Sequence, residues 1–215
     1  FFFTQTPEYA MLRSLVGSEM CIRDSSSAVW TIFGQQVLMA KLKFPDISKM
    51  LKSKEIPSFL KPYLKFLGLG IPSNLDAWDG YPAERNKLYK LMSNAKKGFV
   101  SLAGDTHNSW VSELNDKSGS KVGVELGTPS VTSPGITDVL NLDEKKFVES
   151  IVKMNNELKW MDPSNRGFLS LNCMEDKIIA SFNYIKELEE INSDISSSKS
   201  FVLHRKGLKL EQIKA

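Results

Sequence analysis

Only two cysteines, Cys21 and Cys173, occur in 215 residues. So few thiols, so far apart, exclude a zinc quartet, a disulfide framework and a CxxC redox pair. Histidine is as scarce, with His107 and His204 alone. No apolar run approaches the ~20 residues a membrane helix needs. The opening Phe1-Phe2-Phe3 lacks the basic flank and long apolar stretch of a signal peptide. The sequence therefore shows no targeting segment, and it leaves the compartment open, a secreted or periplasmic parent included. An excess of one charge is missing too. Twenty-eight Lys and Arg against 25 Asp and Glu give +3, too little by itself to imply a nucleic-acid partner.

What is present suits one sizeable core. Hydrophobic residues make up 41% of the chain, with twelve Phe, four Trp and eight Met, so disorder throughout is excluded. No repeat or second-domain boundary stands out. The first 27 residues are set apart: Met11 to Ser25 shows no sustained period, and the stretch resembles translated sequencing-adaptor DNA. Residues 28–215 are taken as the folded part.

Val29 to Phe33 is β-branched and aromatic and stops at Gly34, which predicts a first strand leading into a loop or short helix. From Lys41 to Lys65 seven lysines face only Asp46 and Glu55, and prolines at 45, 57 and 62 break any long helix. This irregular basic excursion is either a solvated loop or a patch that steers anions. Pro82 suits the first position of a helix carrying Arg85, Leu88, Leu91 and Met92, with Gly98 ending the segment. Phe99 to Ala103 and Lys121 to Leu126 predict two strands, each delivering a small polar loop at its carboxyl end. Both loops are expected to meet over one sheet edge, where α/β active sites gather. Asp143 is placed as the cap of a helix with Phe147, Ile151, Met154 and Leu158 on one side. Phe168–Leu171 with Lys177–Tyr184 reads as an antiparallel hairpin, and Phe201–His204 with Leu208–Ile213 as another hairpin or a terminal strand.

Asp105 and His107, one residue apart on a loop of small residues, can bring a carboxylate and an imidazole to one cation. A single ion usually takes four or more donors, so two do not complete a site. A capped loop carboxylate beside a surface histidine is the simpler alternative. The neighbouring Asn108 can touch an ion or a substrate oxygen, or hold the turn through its own backbone. Trp110 is expected in the core rather than on a pocket wall. Thr128, Ser130, Thr132 and Ser133 offer hydroxyls to an anion or form a structured turn. A serine hydrolase built on Ser109 or Ser130 lacks the GxSxG elbow that such enzymes carry.

Read together, the blocks WTIFGQQ (30–36), WDGYPAER (78–85), AGDTHNSW (103–110), ELGTPSVTSPG (125–135) and LKWMDPSNRGFLSL (158–171) resemble the carboxyl-terminal part of PhoD-like alkaline phosphatases. The resemblance covers roughly residues 29 to 185. It implies a calcineurin-like α/β sandwich of mixed sheets flanked by helices. It also implies Fe3+ and Ca2+ as cofactors, and hydrolysis of a phosphate monoester or diester by a metal-activated water. Within it, Asp105 and His107 match the late metal-site block as ligands and catalytic groups. Asn108 and Arg85 are expected to contact substrate, with Asp79 a weaker pocket residue. No specific protein partner is implied. The family's earlier metal-binding blocks have no counterpart upstream of Trp30, so the chain by itself is expected to be inactive. The competing expectation is a non-enzymatic piece that binds an anion.

Overall fold

The computed structural model describes residues 27–51, 74–94, 97–186 and 194–213. The leader up to residue 26 and most of the basic excursion lie outside the described residues. The fold is mixed α/β, with two sheets and few helices among the described residues.

The first sheet holds β1 (Trp30–Gln35), β2 (Gly98–Ala103), β3 (Ser109–Asn115), β4 (Lys121–Gly127) and β5 (Leu158–Asp162), in the order β1-β2-β4-β3-β5. β1, β2 and β4 run parallel, while β3 is antiparallel to both β4 and β5. The near-continuous burial of β2 and β4 is what a strand covered on both faces shows. The second sheet is an antiparallel meander of β6 (Gly167–Cys173), β7 (Lys177–Ile185), β8 (Ile195–His204) and β9 (Lys209–Gln212). It contains the expected hairpin and, in β8 and β9, the hairpin alternative for the last pair.

Alternation along β7 turns Ile178, Ala180, Phe182 and Tyr184 inward. They pack with Phe201 and Leu203 of β8 against Val100, Val111, Val124 and Leu126 of the first sheet, so the two sheets meet face to face. Trp160, Phe182 and Phe201 form an aromatic trio there, with ring centroids 5.1, 5.3 and 6.1 Å apart.

Helices cover the other face of the first sheet. α1 (Pro82–Asn94) sets Leu88, Tyr89 and Met92 against Phe99, Leu114 and Val122. α2 (Ile136–Leu140) is a single short turn of helix. α3 (Glu144–Met154) is capped by Asp143, whose carboxylate accepts from the Lys146 amide, and buries Phe147 and Ile151 beside Trp110. Two sequence expectations give way here. Met154 is 44% exposed, and Leu158 belongs to β5, because the chain leaves the helix at Asn155. Gly98 opens β2, while α1 stops at Asn94.

Candidate functional site

The parallel strands bring three carboxyl ends to one edge. The amides of Gly104 and Asp105 donate to the Gln36 carbonyl, at 3.1 and 2.8 Å, and the Thr128 amide donates to the Ala103 carbonyl. The loops after β1, β2 and β4 are thus laced together; the sequence led one to expect this of the two after β2 and β4. They border a cavity of about 550 Å³ lined by Asp79, Asp105, Thr106, His107 and Asn108, and by apolar residues including Leu38, Leu42, Phe44 and Ile136.

Asp105 and His107 both face it. The His107 Nε2 lies 3.9 Å from an Asp105 oxygen, and both side chains are open to solvent. His107 has φ of +57°, a left-handed conformation uncommon outside glycine and a form of local strain that clusters at functional positions. Its Nδ1 sits 3.3 Å from the Pro134 carbonyl. A carbonyl only accepts, so Nδ1 is the donor in this contact, and Nε2 is the ring nitrogen left on the side of Asp105. Such orientation by a second hydrogen bond is what metal-binding imidazoles show. Among the described residues, no group of three or more His, Cys, Asp or Glu converges to hold a metal.

Asn108 is buried and uses both ends of its amide. Its Nδ2 donates to the Thr106 carbonyl at 2.5 Å, and its Oδ1 accepts from the Ile136 amide at 3.2 Å. It therefore ties the loop after β2 to the start of α2. The Thr106 hydroxyl donates to the Asn108 carbonyl and accepts from the Trp110 indole. Trp110 is 2% exposed, in the core as expected, and it also lines the cavity, which the sequence reading had disfavoured. Ser109, first residue of β3, is fully buried and accepts from the Tyr184 hydroxyl, while Ser130 donates to the Ser133 carbonyl. Neither hydroxyl has an imidazole partner, so neither serine sits in a triad.

Arg85 sits behind the cavity wall. Its Nη1 pairs with Asp79 at 2.6 Å and donates to the Met39 carbonyl, and the side chain is almost wholly buried. The other Asp79 oxygen accepts from the Leu42 amide.

That contact belongs to an arrangement the sequence did not reveal. The segment Met39–Lys43 lies outside the named strands, yet its five successive amides each donate to a side-chain oxygen. Met39 and Ala40 donate to the two oxygens of Glu125, at 2.7 and 2.8 Å. Lys41 donates to Glu157 at 3.0 Å, Leu42 to Asp79 at 3.0 Å, and Lys43 to the Asn155 carbonyl oxygen at 2.8 Å. Side chains from β4, from the turn before β5, from the turn before α1 and from the end of α3 therefore hold one strap. Glu125 also accepts from Ser101, which in turn accepts from Gln35. Burial pushes the Glu125 carboxyl up to about 7, against the downward pull of the Ala40, Met39 and Ser101 hydrogen bonds. Burial likewise pushes up the Tyr89 phenol, whose hydroxyl reaches the Met39 carbonyl. The one sequence signal for this was a lone carboxylate inside the apolar run VGVEL.

A family model described as PhoD-like phosphatase matches residues 20–182, more than half of the chain. Alkaline phosphatase D of Bacillus subtilis (strain 168) is 26% identical over 186 residues, which cover 84% of this chain and 27% of that protein. A solved structure described as the structure of PhoD aligns with a TM-score of 0.66 at 23% identity, covering 93% of this chain and 34% of that one. At that identity the likeness speaks for the fold. The chain spans about a quarter to a third of the length of these relatives.

Proposed function

The chain belongs to the PhoD-like phosphatase family, and on that premise we propose that it supplies part of a catalytic domain that hydrolyses phosphate monoesters or diesters. The two packed sheets with helices on one outer face support a calcineurin-like sandwich as the architecture. The observation that carries the functional reading is the pairing of the Asp105 carboxylate with the His107 Nε2 at the mouth of the cavity, the ring fixed by Pro134.

A carboxylate oxygen and a neutral imidazole nitrogen suit a hard or intermediate cation, iron and calcium included. Asp105 and His107 would hold such an ion. When bound, the ion supplies charge compensation for the phosphate and activation of the attacking water. The chain's own residues do the rest. Pro134 keeps the imidazole in its ligating tautomer, Asn108 braces the loop that carries both ligands, and Arg85 acts through Asp79 on the cavity wall. Among the described residues no third His, Cys, Asp or Glu joins this pair, and inactivity of the 215-residue chain by itself is part of this proposal. The second reading is a domain that binds an anion without hydrolysing it.

Manganese titration followed by NMR tests the ligand pair. Paramagnetic broadening is expected at Asp105 and His107 and not at His204, and an unaffected His107 ring rejects the assignment. Release of 4-nitrophenol from mono- and bis(4-nitrophenyl) phosphate by a chain of the relatives' full length separates the two readings. Persistent inactivity of folded, metal-loaded protein selects anion binding.

A further inference from the structure

We propose that Glu125 is a positioning residue for the cavity: from inside the fold it latches the Met39–Lys43 strap and so places the wall against which the ligand sits. Placement of a phosphate ester by that wall rests on the reading above; the latch itself does not.

Glu125 stands on β4, wholly buried, and each of its oxygens takes one of two successive amides. Two acceptor oxygens on one buried side chain fix both the distance and the register of the two amides. Ala40 and Leu42 of the strap line the cavity, and Leu38 and Phe44 flank it on the same wall. The Met39 carbonyl, on the other side of the same peptide plane, receives Arg85 and Tyr89. One residue thus has both backbone groups committed to buried side chains, and its neighbours have no freedom to drift. Such support keeps a site within the small tolerance that catalysis demands. Ser101 from β2 and Glu157 ahead of β5 act on Glu125 directly, and Tyr89 from α1 is coupled to it, with Arg85 and Asp79 acting on Tyr89 in turn.

The test is amide hydrogen exchange on the 215-residue chain and on its Glu125→Gln variant. A glutamine offers one acceptor and one donor group, so it cannot receive both amides. Exchange at Met39 and Ala40 should quicken roughly tenfold or more, while Val124 and Leu126 keep their protection. Unchanged exchange at Met39 and Ala40 overturns the latch. Phenyl phosphate, followed through the His107 ring, is expected to bind roughly tenfold more weakly to the variant. Equal affinity with a loosened strap overturns the positioning role. If phenyl phosphate leaves His107 of the parent chain unmoved, the phosphate-ester reading falls, and exchange alone decides the latch.

Should the variant fail to fold, the parent chain still decides. Amides held by a buried carboxyl exchange at least roughly tenfold more slowly than an open segment, so Met39 and Ala40 should be protected in the parent chain. Exchange of both at the rate of an unprotected backbone overturns the latch.

Discussion

The ring of His107 and the carbonyl of Pro134, 3.3 Å apart, join the loop after β2 to the loop after β4 and decide which imidazole nitrogen is free. Nitrogen-15 shifts of the neutral ring are expected to report the Nδ1-protonated tautomer, against the usual preference of free histidine. An Nε2-protonated ring would remove the lone pair from the side facing Asp105.

Replacement of either proposed ligand should cost metal. In an active chain of full length, Asp105→Ala and His107→Ala are each expected to lower metal occupancy at least about tenfold. Elemental analysis of purified protein checks this, and unchanged occupancy refutes the assigned roles.

Gly135 has no room for a methyl group. A Cβ there would lie 2.5 Å from the Pro163 carbonyl oxygen, 2.6 Å from the Asn108 Oδ1 and 2.7 Å from an Arg166 nitrogen. Gly135→Ala is therefore expected to destabilise the fold by about 1–3 kcal/mol and to disturb the Asn108 bond to Ile136. Denaturant unfolding measures the first, and the Ile136 amide shift the second.

Phe182 lies at the centre of the contact between the sheets, fully buried between Trp160 and Phe201. Phe182→Ala should cost about 3–5 kcal/mol. A loss below about 1 kcal/mol would mean the sheets do not pack as described.

Global stability should carry the signature of Glu125. Its folded pKa, about 7, exceeds the ordinary 4.5, so the folded state binds the proton more tightly than the unfolded one. This contribution is fully present below about pH 4.5 and is lost as pH rises through 7, a decline of up to about 3 kcal/mol. Urea unfolding at several pH values should show the decline in the parent chain and not in Glu125→Gln.

Elements defined by their own side chains were legible from sequence. β1, β2, β4, the start of α1, the Asp143 cap and both hairpins follow from apolar runs, alternation and turn residues. The 105–108 loop followed from the abrupt polar change after Ala103. β3 was not assigned from sequence, since its first residues, Ser109 and Trp110, follow four polar positions without a turn signal of their own. β5 was hidden because Leu158 stands four residues after Met154 and so mimics one more turn of helix, while Asn155 ends α3 by bonding back to Ile151. For Arg85 and Asn108 the sequence offered charge and polarity. Only the fold shows Arg85 held by Asp79 and Asn108 held by two backbone groups. The strap was beyond reach, because a backbone amide has the same formula wherever its acceptor comes from.

The acceptors of Met39–Lys43 lie between 37 and 116 positions further along the chain. Closing such long loops has to precede any reward from the bonds they permit. β4, the end of α3 and the turn before α1 must therefore be assembled before these amides find partners, which makes this stretch a late arrival in folding. The wall of the cavity is then expected to settle after the sheet edge beneath it.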